Sequence, residues 1–349
     1  MARRKLSSQQ QARISRRQRQ EVLRGRIDDG ENFPDGPRLR GIVTCNFGQQ
    51  LEVKATDTEH SGQLFRCFQR SNLPPLVSGD RVVFTCGGGG TNHERAEVAD
   101  GVVIPDGVVI GQEPRTNVFS RPAADGQLKP VAANIDLVLV VLAPSPRPFL
   151  NMLDRYLVAI EHLGLRPLIV INKSDLVAAK SLPVLDTVGE LYPRLGYTPV
   201  TVSAKQGPGL DELQSRLLGK TTVIVGQSGV GKSSLINALS RESTARVGAL
   251  STAADKGTHT TTAARLFHLA GFDLIDSPGI REFGLWHIAP KDLLTGFVEF
   301  RPFLGRCRFR DCSHQGEPDC ALQQAVAAGE IARSRLDSYF QILGSLASS

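Results

Sequence analysis

The chain is predicted to be a multidomain α/β protein: a small N-terminal β-barrel of OB type, a doubly wound α/β domain and a helical, cysteine-bearing C-terminal module. Three observations predict it. Short β-rich pieces separated by Gly, Asn, Pro and Asp occupy residues 38–112. From about residue 130, continuous apolar runs alternate with helical stretches, as strands buried on both faces do. After about residue 290 the text turns helical and carries three cysteines and a histidine between residues 307 and 320. At 349 residues the chain is long for a single core.

Residues 1–37 read differently. Up to residue 26 they hold Arg3, Arg4, Lys5, Arg13, Arg16, Arg17, Arg19, Arg24 and Arg26 against a single acid, Glu21, more than the whole chain's surplus of +6. With almost no large apolar residues this segment cannot bury a core, so it is expected to be a disordered basic arm. Guanidinium forks match phosphate oxygens and release counterions, which suits RNA; a plain solubilising tail is the alternative. The body that remains is slightly acidic. No run approaches the ~20 apolar residues of a membrane span, and "IDLVLVVLAP" (135–144) has the length of a buried strand. No apolar core follows "MARRKLSS", so no secretory signal is read and a cytoplasmic location is expected.

In the barrel region "RGIVTCNF", "QQLEVKAT", "QLFRCFQ", "DRVVFTC" and "ADGVVIPDGVVI" are the candidate strands. Their number and length fit a five-stranded OB-type barrel, with any other small barrel as the alternative. Cys45, Cys67 and Cys86 fall in these strands and read as small core residues. In the following domain, expected over 113–288, the strands are "NIDLVLVVLAP", "RPLIVINKSD", "YTPVTVSAK", "KTTVIVGQSG" and the pair "AARLFHLA" and "FDLIDSPG". Helices are expected at 149–164 and 211–219.

"GQSGVGKS" (226–233) fits G-x-x-x-x-G-K-[S/T], follows a strand and leads into a helix. In such a loop the backbone N–H groups of Gly226, Gln227, Ser228, Gly229, Val230, Gly231 and the helix start at Ser234 wrap phosphates. Lys232 reaches the β- and γ-phosphates, and the Ser233 hydroxyl ligates Mg²⁺. "NKSD" follows another buried strand. Asp175 can accept from the N1–H and 2-amino group of guanine, whereas adenine would leave that carboxylate unpaired, a mismatch able to discriminate by ~10⁴-fold. Asn172 and Lys173 brace that loop. "VSAK" brings backbone N–H groups of Ser203 and Ala204 toward guanine O6; by itself it would read as an ordinary loop. "DLIDSPG" ends a strand with Asp276, a candidate for the Mg²⁺ shell, and Gly279, whose N–H suits the γ-phosphate. "KGTHTTTAAR" supplies hydroxyls, with Thr261 or Thr262 as the Mg²⁺ ligand and Thr260 still open.

These are five GTPase motifs in the order base, base, phosphate, switch, switch, which is a circular permutation. With Ile280 where a water-orienting Gln often stands, His259 is the candidate catalytic group; packing in a loop is its alternative reading. Slow intrinsic turnover is expected. The second switch leads directly toward residues 289–349, so a change at the γ-phosphate can pull on the C-terminal module. There, "CRFRDCSHQGEPDC" offers Cys307, Cys312, His314 and Cys320, a Cys₃His set suited to one structural Zn²⁺. Arg306, Arg308 and Arg310 beside it suit phosphate contacts.

Taken with "NLPPLVSGDRV", "EPRTNVFSRP", "LKPVAANID" and "NMLDRYLVA", these motifs closely resemble the RsgA family of small ribosomal subunit biogenesis GTPases, over roughly residues 38–345. The resemblance implies an OB-fold domain, a circularly permuted GTPase domain and a zinc-binding helical domain. It also implies binding to the small ribosomal subunit and its rRNA late in maturation, and GTP hydrolysis to GDP and phosphate stimulated by that particle. It carries the nucleotide roles onto Gly226, Gly231, Lys232, Ser233, Asn172, Lys173 and Asp175, zinc onto the four ligands above, and catalysis onto His259. Thr258 departs from the family's usual residue before that histidine. A GTP-gated RNA-binding scaffold, or a GTPase acting on free RNA as in tRNA modification, are the competing readings; a monomer is expected.

Overall fold

The computed structural model describes residues 37–86, 107–122, 128–179, 183–247, 264–276 and 288–347. The basic arm, His259, the threonines at 260–262, Gly279 and Ile280 lie outside the described residues. The chain divides into two compact units, Met1–Arg115 and Thr116–Ser349.

The first unit is a barrel of β1 (Arg38–Asn46), β2 (Gln50–Ala55), β3 (Leu64–Gln69), β4 (Arg81–Cys86) and β5 (Gly107–Gln112). β1, β2 and β3 form an antiparallel meander. β5 returns between β3 and β4, parallel to β3, and β4 pairs with β1. That Greek-key return closes the sheet and removes its edges, as in OB-type barrels. Inward-facing Val43, Leu51, Val53, Phe65, Phe84 and Val109 fill the interior, and Cys45, Cys67 and Cys86 are buried among the strands. A bulge between Val43 and Cys45 explains why strict alternation fails in β1, where three successive residues are buried. Beneath the barrel wall Asp80 is fully buried. Arg115 grips it with both arms, Nε to Oδ1 and Nη2 to Oδ2 at 2.7 Å each, while the Val77 N–H donates to Oδ2.

The second unit opens with a hairpin of β6 (Val118–Pro122) and β7 (Leu128–Ala133). No strand was expected in either piece: prolines interrupt both and neither alternates. The hairpin is pinned from its base, where Asn117 exchanges two hydrogen bonds with the Ile135 backbone and Asn134 Oδ1 accepts from Thr116. The main sheet follows: β8 (Leu137–Leu142), β9 (Arg166–Ile171), β10 (Val200–Thr201), β11 (Thr221–Val225), β12 (Arg265–Leu269) and β13 (Phe272–Asp276). In space they run β10-β9-β8-β11-β13-β12, parallel except for the β12–β13 hairpin.

Four helices flank them: α1 (Leu150–His162), α2 (Pro183–Arg194), α3 (Leu210–Leu217) and α4 (Lys232–Val247). α1 buries Leu153, Tyr156, Leu157 and Ile160, the i, i+3, i+4, i+7 spacing of a single helical face. From β8 the chain winds outward to β10, then re-enters at the centre with β11 and builds the other side. The order of winding therefore reverses between β8 and β11, and open α/β sheets bind ligands at the carboxyl ends of strands at such a point.

After β13 the described residues contain no strand. Two 3-10 stretches, Pro290–Gly296 and Val298–Phe303, precede α5 (Ala321–Ala327) and α6 (Arg333–Ala347). Phe297 and Phe300 stack with centroids 4.8 Å apart, and Tyr339 of α6 meets both edge-on. Gly296 lets this segment lie against α1, since a Cβ there would sit 2.5 Å from Val158 Cγ1.

Candidate nucleotide site and metal cluster

Three of the sequence motifs leave the sheet at neighbouring carboxyl ends: 226–233 after β11, 172–175 after β9 and 202–205 after β10. One side chain ties them together. The buried Asn172 amide donates to Val230 O at 3.0 Å, and its Oδ1 accepts the Ala204 N–H at 3.1 Å. Two glycines make this approach achievable. Gly231 has φ +93°, and a Cβ on it would lie 2.5 Å from Asn172 Nδ2. Gly226 has φ +141°, and a Cβ would lie 2.4 Å from Val141 O of β8.

Lys173, itself at φ 60°, spans the site: its ammonium donates to Gly229 O at 2.6 Å and to Ser145 O at 2.7 Å. Ser145 belongs to the loop after β8, and Pro146 of that loop would touch a Cβ at Gly229 at 3.5 Å. This wall was missed from sequence, although "APSPRP" follows a buried strand at the same sheet edge and could have been flagged on that ground. Asp175 Oδ1 accepts from the Ser203 hydroxyl at 2.7 Å, and the same hydroxyl accepts from Gln206 N–H. The Ser203 N–H donates to Pro208 O. With the Ala204 N–H on Asn172, both amides of the S-A-K loop already have partners inside the site. A contact to guanine O6 would share or exchange these bonds.

Lys232 Nζ donates to Gly226 O at 2.6 Å and Gln227 O at 2.7 Å, so the ammonium sits over the carbonyls of its own loop. Ser228, Gly229, Ser233 and Ser234 are exposed, as residues that meet a ligand must be, and Val230 is buried beneath them. Asp276 ends β13 directly beside β11, paired in register with Ile224.

The second site lies in the C-terminal segment. The ligand atoms of Cys307, Cys312, His314 and Cys320 all fall within 4.8 Å of one another. Cys307 Sγ is 3.5 Å and Cys320 Sγ 3.4 Å from His314 Nδ1, and the two sulfurs are 4.0 Å apart. A tetrahedral zinc with Zn–S near ~2.3 Å requires edges of about 3.8 Å, so the set fits. Burial pushes the Cys312 thiol up to about 12 and holds the His314 imidazole below its ordinary value, hence neutral and ready to donate a lone pair. The loop's own bonds fix the ligands. Glu317 accepts from Ser313 and from the Gln315 and Gly316 N–H groups, and these contacts, the Ser313 hydroxyl first, pull its carboxyl down to about 2.

Comparison with known proteins agrees with this geometry. The family model for RsgA GTPase matches residues 112–286. A small ribosomal subunit biogenesis GTPase RsgA of Pseudomonas savastanoi pv. phaseolicola is 48% identical over 353 residues, covering 99% of this chain and 98% of the relative. The Pseudomonas putida protein of the same name is likewise 48% identical, covering 99% of each. Among solved structures, YjeQ from Thermotoga maritima superposes with a TM-score of 0.66 at 31% identity, covering 90% of this chain and 100% of its own. YloQ, described as a circularly permuted GTPase, gives 0.65 at 27% identity over 91% and 98%.

Proposed function

Because the chain belongs to the RsgA GTPase family, we propose that it binds GTP at the carboxyl ends of β8 and β11 and hydrolyses it to GDP and phosphate on the small ribosomal subunit, during late maturation. The observation that carries the reading is Asn172, whose one amide joins the base-reading loops to the phosphate loop. In this mechanism Asp175, held by Ser203, reads the guanine N1–H and 2-amino group. Lys173 supports the site from Gly229 to Ser145. Lys232 leaves the Gly226 and Gln227 carbonyls for the β- and γ-phosphate oxygens, while the loop amides of 226–234 cradle them. Ser233, with Thr261 or Thr262 and Asp276, would hold Mg²⁺, which would supply charge neutralisation at the phosphates. The Gly279 N–H meets the γ-phosphate, and His259 orients the attacking water. Cys307, Cys312, His314 and Cys320 hold one structural Zn²⁺.

The barrel, the basic arm and the zinc module engage rRNA in this scheme, and hydrolysis, accelerated by the particle, drives release. The protein acts as a cytoplasmic monomer. Its test is GTP turnover with and without purified small ribosomal subunits, using Lys232→Ala as the blank. Strong stimulation by that particle is the expected result. Unchanged turnover, with tight GTP-dependent binding to another RNA, would discard the assembly role and leave a GTP-gated RNA binder.

A further inference from the structure

The loop between the first two metal ligands sets an exposed aromatic ring among arginines. Phe309 is 42% exposed although it sits between Cys307 and Cys312 in a tightly tied turn. Arg306, Arg308 and Arg310 flank it in the sequence and are all exposed. The Arg308 guanidinium lies 5.6 Å from the Phe309 ring centroid and pairs with Asp319 at 3.1 Å. Arg306 and Arg310 make no ion pair among the described residues. The Glu317 carboxylate accepts hydrogen bonds from the Ser313, Gln315 and Gly316 N–H groups.

We infer that Phe309 is a stacking platform for an unpaired RNA base, with Arg308 bracing the ring and Arg306 and Arg310 meeting the flanking phosphates. The inference rests on the proposed engagement of rRNA and names the kind of RNA this module takes: a single-stranded or bulged nucleotide, not a duplex. Every base has a π-face, so an exposed ring gives sequence-tolerant affinity for unstacked bases, and in a duplex those faces are already occupied. The geometry suits it because ligation on either side of the ring pre-organises the loop, so little ordering entropy is lost on binding. The loop's acids, Asp311, Glu317 and Asp319, balance its three arginines. Attraction by net charge is therefore weak at this point, and stacking carries the contact.

The test uses the full zinc-loaded chain. Trp286 is its sole tryptophan, so a Trp286→Phe, Phe309→Trp variant carries one indole, at the loop. An unstructured eight-nucleotide RNA is expected to quench that indole saturably, and a blunt RNA duplex of the same sequence is not. At elevated salt, where binding through the basic arm is suppressed, Phe309→Leu is expected to weaken oligonucleotide binding roughly 5- to 150-fold at unchanged zinc content. Phe309→Tyr is expected to bind like the parent. Equal quenching by duplex and single strand, or full affinity in Phe309→Leu, overturns the inference. Turnover stimulated by small subunits is read separately. If stimulation persists while quenching fails, only the platform is lost. If quenching holds without stimulation, the ribosomal assignment is the part that fails.

Discussion

Arg335 offers the sharpest test of how the C-terminal segment is held to the nucleotide-binding sheet. It lies on α6 at 1% exposure, among the largest fully buried side chains. Its Nη1 donates to Asp154 of α1, and its Nε and Nη2 donate to Glu299 at 2.6 and 3.3 Å. The guanidinium lies 4.6 Å from the Phe297 ring centroid, and Tyr192 of α2 donates its hydroxyl to the same Asp154 oxygen at 2.5 Å. Burial pulls the Arg335 pKa down, but Asp154 and Glu299 more than offset it and leave it raised, so the group stays charged. For Asp154 the balance goes the other way: burial raises it above its ordinary value despite Arg335.

Arg335→Met keeps much of the side-chain volume and removes the cation. Two carboxylates, each under a tenth exposed, would then face each other uncompensated. Breaking a buried pair in this way costs about 3–5 kcal/mol, which in a unit of this size corresponds to a fall of roughly 6–20 °C in Tm. A second variant separates the pair's worth from the penalty of a broken pair. Replacing Arg335 by Met together with Asp154→Leu and Glu299→Met should recover most of the loss, because apolar substitutes for buried ion networks are often neutral or better. The sign of the pH effect follows from the same charges. Burial already raises the Asp154 carboxyl in the fold, and without Arg335, which lowers it, that carboxyl titrates higher still. The deficit of the single variant is therefore full above that raised value and narrows as the pH falls from neutral through it. Thermal unfolding of the zinc-loaded chain reads all three quantities. A loss below about 1 kcal/mol in Arg335→Met, or a triple variant weaker than the single one, would refute the reasoning.

Other expectations concern separate parts of the chain. Gly231→Ala must place a Cβ 2.5 Å from Asn172 Nδ2 at φ +93°; a strain of about 1–3 kcal/mol should weaken GTP and GDP alike by roughly 5- to 150-fold, read by titration with a fluorescent nucleotide. Arg115→Ala strands the buried Asp80 carboxylate. It should destabilise the barrel by about 3–5 kcal/mol in urea unfolding while nucleotide affinity holds, and Arg115→Lys should rescue little because an ammonium cannot form the two-armed bond. Chelation, or Cys320→Ser, should abolish metal stoichiometry and raise protease sensitivity across 307–320 with GTP affinity unchanged. Loss of GTP binding on chelation would show that the cluster supports the nucleotide site directly.

Much of the architecture is legible in the sequence. The phosphate-loop, N-K-x-D and metal-ligand spacings are local patterns, and the physics that requires them acts within a few residues: positive φ at Gly226, Gly229 and Gly231, or four donors close enough to share one ion. Apolar runs identified β8, β9 and β11 because strands buried on both faces need no alternation. The motif order alone announced the permutation.

What only the tertiary structure decided depends on contacts between residues far apart in the chain. The β6–β7 hairpin escaped notice because Asn117 and Asn134, not alternating apolar residues, pin it. Ser145 joined the nucleotide site through a lysine that follows it at Lys173, and Asn172 met the backbone at Val230, far along the chain. Arg335 read as one more charged residue on a C-terminal helix until α1 and the 3-10 stretch brought Asp154 and Glu299 around it. A sequence states which groups can form such bonds. Only the packing of helices and strands says which of them are taken out of water together, and desolvation is what turns a surface arginine into the linchpin of an interface.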